Sequence, residues 1–157
     1  MTATYDCIAT TTLGSTAASI SFQSISSSFT DLVLVFNCGA INGQNVSIRF
    51  NNDSGTNYSF TKLEGNGSSA GSSRSSNTTG GNFVAYDNPT VTISIFNYAN
   101  TTTNKSFMAR WGNAGNFVGA SMSLWRSTAA INRVDLVSPS SDFPSGTTAT
   151  LYGIKAE

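Results

Sequence analysis

Asn45-Val46-Ser47-Ile48-Arg49-Phe50 alternates polar and apolar residues without a break. Successive side chains of a strand point to opposite faces, so this stretch predicts a half-buried strand. Val46, Ile48 and Phe50 then face inward, and Asn45, Ser47 and Arg49 face outward. The chain next enters Asn51-Asn52-Asp53-Ser54-Gly55. Short side chains of this kind bond their own main chain and tolerate left-handed dihedrals, which predicts a turn. Alternation resumes in Tyr58-Ser59-Phe60-Thr61-Lys62-Leu63.

The same two-residue period extends in both directions. Upstream, residues 5–11 and 18–22 read as strands, the second with Ala18, Ile20 and Phe22 on one face. Between them and the central stretch, Asp31-Leu32-Val33-Leu34-Val35-Phe36-Asn37 is apolar for five consecutive residues, which predicts a strand covered on both faces. Downstream, residues 83–86, 90–96, 105–111, 117–125, 131–136 and 148–154 carry strand patterns separated by turn-rich segments. A helix fits only as one turn over residues 127–130. Short strands at this spacing, joined by crossings too long for simple hairpins, predict an all-β antiparallel β-sandwich of jelly-roll or Greek-key topology.

Composition supports that class. The 157 residues include 25 Ser, 20 Thr, 16 Asn and 14 Gly, with only 10% charged. Ser, Asn and Gly suit turns, Thr and aromatic residues suit pleated half-buried surfaces, and strong helix formers are thinly spread. The length suits a single domain, 1–157, with a core of its own. Residues 65–81, Gly-Asn-Gly-Ser-Ser-Ala-Gly-Ser-Ser-Arg-Ser-Ser-Asn-Thr-Thr-Gly-Gly, have no side chain larger than Asn except Arg74. They predict an exposed Gly/Ser-rich loop, with Arg74 and Asn77 as candidate partner contacts.

Several chemistries lose support. The net charge is zero and the basic residues are scattered, which gives no footprint for nucleic acid. Histidine is absent, removing the commonest general base and metal ligand. The eight carboxylates show no spacing that marks a catalytic pair. Asn52-Asp53-Ser54-Gly55 shares the oxygen richness of a calcium loop but lacks its register and terminal Glu. Seven Asn-x-Ser/Thr sequons are expected in a chain holding 45 Ser and Thr, and they are read as unmodified. No cofactor, metal or enzymatic activity is expected. Cys7 and Cys38 fit two reduced core thiols best, with a bridge between them as the alternative. The opening residues have neither a basic segment nor a continuous apolar run, so no export signal and no membrane span are expected.

Two surface functions remain. Trp111, Trp125 and Tyr98, with Tyr58 and Tyr86, are candidate glycan or interface aromatics, because flat rings cover the apolar face of a sugar at low entropy cost. The competing expectation is that they belong to the core.

Tyr5-Asp6-Cys7-Ile8-Ala9-Thr10, Phe29-Thr30-Asp31-Leu32-Val33, Ile48-Arg49-Phe50-Asn51-Asn52-Asp53, Leu124-Trp125-Arg126-Ser127-Thr128 and Thr150-Leu151-Tyr152-Gly153-Ile154 together span nearly the whole chain. As a set they resemble small virion structural proteins and fibre-like domains of tailed bacteriophages, notably those of cyanobacteria. The resemblance implies a virion-associated β domain assembled in the host cytoplasm, and it brings no catalytic residues with it. The leading expectation is a capsid decoration or cement protein on the outer surface of the head, bound to the major capsid protein as a homotrimer. The alternative is a tail or fibre domain that contacts host-surface carbohydrate.

Overall fold

Alternating faces need a partner layer, and the chain supplies it from its own second sheet. The computed structural model describes residues 4–40, 44–85, 88–113 and 117–155. Among these residues twelve strands are formed: β1 (Tyr5–Thr12), β2 (Ser19–Phe22), β3 (Asp31–Asn37), β4 (Gln44–Phe50), β5 (Tyr58–Gly65), β6 (Ala70–Thr78), β7 (Gly81–Ala85), β8 (Thr90–Ile95), β9 (Lys105–Asn113), β10 (Phe117–Trp125), β11 (Val134–Val137) and β12 (Thr148–Ile154). They build an eight-stranded sheet in the order β1-β12-β3-β8-β9-β10-β5-β6 and a four-stranded sheet in the order β2-β11-β4-β7. All pairs are antiparallel, and most neighbours are distant in sequence, so the wiring is that of a jelly-roll or Greek-key sandwich. No residue described forms a helix, and 127–130 run irregularly.

The core lies where the small sheet covers the middle of the large one. Val46, Ile48 and Phe50 of β4 are all buried, as the alternation requires. Phe50 packs edge-on against Phe107 of β9 with ring centroids 4.9 Å apart, and meets Trp125 at 5.6 Å. Phe36 of β3 touches Phe83 of β7 and Phe143 in the same way. Val33 is buried on the opposite face of β3, where its cover comes from its own sheet: Tyr152 and Ser94 stand beside it on the adjoining strands, and Val35 is only half-buried. Both terminal strands are paired, with β12 held between β1 and β3.

Two expectations need correcting. Residues 65–81 are not a loop, because Ala70–Thr78 form β6 and pair with β5 in a register that sets Arg74 opposite Thr61. The turn is confined to Asn66–Ser69, where Asn66 Oδ1 accepts from the main-chain N–H of Ser68 (3.0 Å) and Ser69 (2.8 Å), and Gly67 adopts φ +84°. Main-chain bonds to β5 suffice to order β6, so the strand needs no apolar side chain and leaves no hydrophobic periodicity to read. Its exposure was legible: Ala70–Asn77 are all solvent-facing. The second correction concerns the thiols. Cys38 is buried, donates to the carbonyl of Gly39 and has its pKa pushed up to about 12 by burial, whereas Cys7 is exposed on edge strand β1; both are free.

Candidate functional site

The small sheet covers one face of the large sheet, leaving the other face to solvent. Strand parity decides which side chains stand there. Cross-strand register aligns Thr92, Arg110, Ala120, Leu63 and Ser72 in one row over β8, β9, β10, β5 and β6. The next row, two residues along each strand, is Ser94, Met108, Met122, Thr61 and Arg74. Rows of this kind lie roughly 6–7 Å apart along the strand.

The small residue at the centre of the first row produces a depression. Ala120 and Gly119 give a low floor, and Leu63, Val118, Arg110, Thr90 and Thr92 border a shallow, open depression of about 720 Å³ above it. A second depression of about 580 Å³ lies over the adjoining row, among Thr61, Arg74, Ser76, Ser106, Met122, Leu124 and Arg126. The two are neighbouring depressions on one face of β10, Ala120 lining the first and Met122 the second, and as a pair they make up an open trough.

The lining mixes three chemistries. Hydroxyls come from Thr90, Thr92, Thr61, Ser76 and Ser106. Apolar surface comes from Leu63, Val118 and Met122, which are 62%, 63% and 49% exposed. Exposed Leu, Val and Met side by side on one face are the kind of patch that marks a contact surface. Positive charge comes from Arg74, Arg110 and Arg126, all exposed. Arg126 Nη1 reaches the Tyr58 carbonyl at 3.3 Å. Glu64, the one carboxylate at the rim among the described residues, is held by Lys62 Nζ at 2.9 Å.

Of the residues singled out from the sequence, Arg74 lies in the trough. Asn77 does not; it is the extra residue of a β-bulge where pairing steps from Tyr58/Thr78 to Ser59/Ser76, and its φ is +56°. Trp111, Trp125 and Tyr98 are buried. Trp111 lies beneath the floor on the core side, so close to Gly119 that a Cβ there would sit 2.4 Å from the indole. Trp125 stacks on Tyr58, and Tyr98 donates its hydroxyl to the Ser26 carbonyl while accepting from the Phe29 N–H. Burial raises the phenol pKa of both Tyr58 and Tyr98. Tyr86 lies outside the described residues.

Arg110 and Arg126 were not singled out from the other scattered arginines, although parity carries the signal. Each follows or precedes an inward Trp by one position, so each must point outward. The Asn52–Gly55 segment is likewise resolved by its bonds: Asp53 accepts from Trp125 Nε1 (2.7 Å), Asn57 Nδ2 (2.9 Å) and the Gly55 N–H (2.8 Å), which occupies the carboxylate with protein donors. No group of three His, Cys, Asp or Glu gathers in a metal-binding arrangement among the described residues.

On the solvent face of the small sheet, Arg133 Nε binds both oxygens of Asp135 at 2.9 Å, and Ser21 Oγ donates to the same carboxylate. That cluster is self-satisfied and bridges β2 to β11.

No family model and no curated protein matches the chain. Among solved structures it is similar to a galectin of Caenorhabditis elegans, at 9% identity over 94% of this chain and 96% of that one, with a TM-score of 0.38. It is also similar to a toad ovary galectin solved with thio-digalactose, at 10% identity, 86% and 98% coverage and a TM-score of 0.42. A sucrose-6-phosphate hydrolase from Lactobacillus gasseri matches at 12% identity over 89% of this chain and 28% of its own, with a TM-score of 0.35. All three are too distant to assign a ligand to this chain.

Proposed function

We propose that this chain is a binding module whose large sheet contacts carbohydrate, in the role of a virion tail or fibre domain at the host surface. The observation that carries the reading is the open trough along β10, which combines hydroxyls, guanidinium groups and exposed apolar side chains on one rigid face. Sugars present the matching chemistry, with hydroxyl edges for hydrogen bonds and C–H faces for apolar contact. Because the trough lies open on the sheet surface, it suits an oligosaccharide laid across the strands better than a small enclosed ligand.

A glycan array probed with the purified chain and with Ala120→Tyr tests this. The new ring fills the floor from the solvent side and leaves the core untouched, which circular dichroism checks. The expected result is a defined set of bound glycans and at least a tenfold loss in the variant, equivalent to about 1.4 kcal/mol. An array with no bound glycan, or equal binding by a folded variant, overturns the proposal.

The second reading is capsid decoration. It is favoured by β6, whose exposed main chain and small side chains offer a flat surface to a neighbouring capsid subunit. Electron microscopy of whole particles with a copy count separates the two: copies spread over the head support decoration, and a few confined to the tail support the sugar-contacting role.

A further inference from the structure

We infer that the trough prefers anionic oligosaccharides, those bearing carboxylate or sulfate groups, over neutral ones; this rests on the carbohydrate-contacting role proposed above. The inference comes from how the chain uses its five arginines. Arg133 is engaged by Asp135, and Arg49 donates Nε to the Thr79 carbonyl at 2.8 Å; both belong to the small-sheet side. Arg74 and Arg110, on the trough, make no hydrogen bond or ion pair among the described residues. Arg126 uses one nitrogen on the Tyr58 carbonyl and stands exposed beside the second depression.

A guanidinium that is already paired gains little from a ligand anion, whereas an unpaired one offers a planar fork for two parallel N–H···O bonds. Two such groups, Arg74 and Arg110, and the partly engaged Arg126 border the two depressions, and among the described residues no free carboxylate lines them, because Glu64 is held by Lys62. The chain is neutral overall, so this is a local concentration of positive charge and not a consequence of net charge.

Register fixes the spacing. Arg110 is on β9 and Arg74 on β6, three strand intervals apart and one row along. At the usual strand separation their main chains are about 15–16 Å apart. Strand side chains stand roughly perpendicular to the sheet, so guanidinium groups rising from these two positions are separated by more than one monosaccharide, and the fitting ligand is an oligosaccharide with acidic groups on separate sugars. Between the two arginines lie Ala120, Leu63, Met122 and Thr61, which offer apolar contact and a hydroxyl to the intervening ring.

The test is binding to one oligosaccharide backbone in three matched forms, neutral, carboxylated and sulfated, measured by calorimetry at low and raised salt. Wild-type protein is expected to bind at least one acidic form about tenfold or more tightly than the neutral form, with that ratio shrinking as salt screens the charges. Arg110→Gln and Arg74→Gln each lower the ratio, Arg110→Lys lowers it less, and Arg49→Gln on the opposite face leaves it unchanged. Whichever acidic form shows the higher ratio identifies the anion. Equal binding of all three forms overturns the anionic preference and leaves carbohydrate binding standing. If none of the three forms binds while neutral glycans on the array do, the preference also falls. Absence of binding to any sugar overturns both proposals.

Discussion

Trp125 Nε1 donates a 2.7 Å hydrogen bond to Asp53 Oδ2, tying the end of β10 to the turn that follows β4. The two residues are 72 positions apart in sequence, and the bond ties a strand of the large sheet to the turn by which the chain crosses from the small sheet to the large one. It holds the Asp53 carboxyl below its ordinary 3.8, against the opposing effect of burial, with further help from Asn57 and the Gly55 N–H. A depressed folded-state pKa stabilises the fold at pH above the unfolded value and loses that contribution as pH falls through the folded one. Asp53→Ala is therefore expected to cost about 1–3 kcal/mol at neutral pH. The difference from wild type should narrow below about pH 4, as read by urea unfolding at several pH values. A difference independent of pH would show that the carboxylate is not the stabilising group.

Phe50→Ala and Ser47→Ala test the register of β4. Phe50 is fully buried between Phe107 and Trp125, so truncation removes transfer energy and leaves a cavity, at a cost of about 3–5 kcal/mol. Ser47 faces the other way and should change stability by less than about 0.5 kcal/mol. Equal losses in chemical denaturation would contradict the inward and outward assignment.

Gly119→Ala probes the floor of the trough from below. The added methyl would lie 2.4 Å from Trp111, a distance real contacts do not reach, so the indole or β10 has to move. The expected cost is about 1–3 kcal/mol, accompanied by a shift in tryptophan fluorescence. A variant with unchanged unfolding and emission would show that the two residues are not in contact.

The two thiols should differ sharply in reactivity. Cys7 is exposed, whereas the Cys38 thiol is buried and pushed up to about 12. Because the thiolate is the reactive form, titration with a thiol reagent near neutral pH should modify one cysteine per folded chain and both after denaturation. Two fast-reacting thiols in the folded protein would place Cys38 at the surface.

Where a side chain's fate is decided by its neighbours along the strand, the fold was readable. Val46, Ile48 and Phe50 announced β4 by alternation alone, and the apolar run from Leu32 to Phe36 announced β3. β6 was hidden because its stability is borrowed through main-chain bonds to β5, and neither Ser nor Gly records such pairing in a periodic pattern. The aromatic residues misled for a related reason. Trp125 and Tyr98 have polar tips that suit a binding surface, but those tips are satisfied inside by Asp53 and by the main chain at Ser26 and Phe29, partners remote in sequence. The trough itself depends on which strands become neighbours: Arg110, Ala120 and Leu63 meet only because β9, β10 and β5 lie side by side, an order that no local pattern encodes.

β6 closes one end of the large sheet, and Arg74 is the middle residue of its nine. If a second copy added its own β6 antiparallel in the register that pairs the full strand, the two-fold axis would pass through that midpoint and set guanidinium against guanidinium. Like charges directly opposite across a strand pair are destabilising, and charge on an edge strand is a common guard against such joining. The strand therefore discriminates between self and other: it repels its own image, yet offers the same hydrogen-bonding edge to an extended segment with a carboxylate at the matching place. Contacts in a threefold ring relate unlike surfaces, so a trimer of this chain would not bring two such arginines face to face.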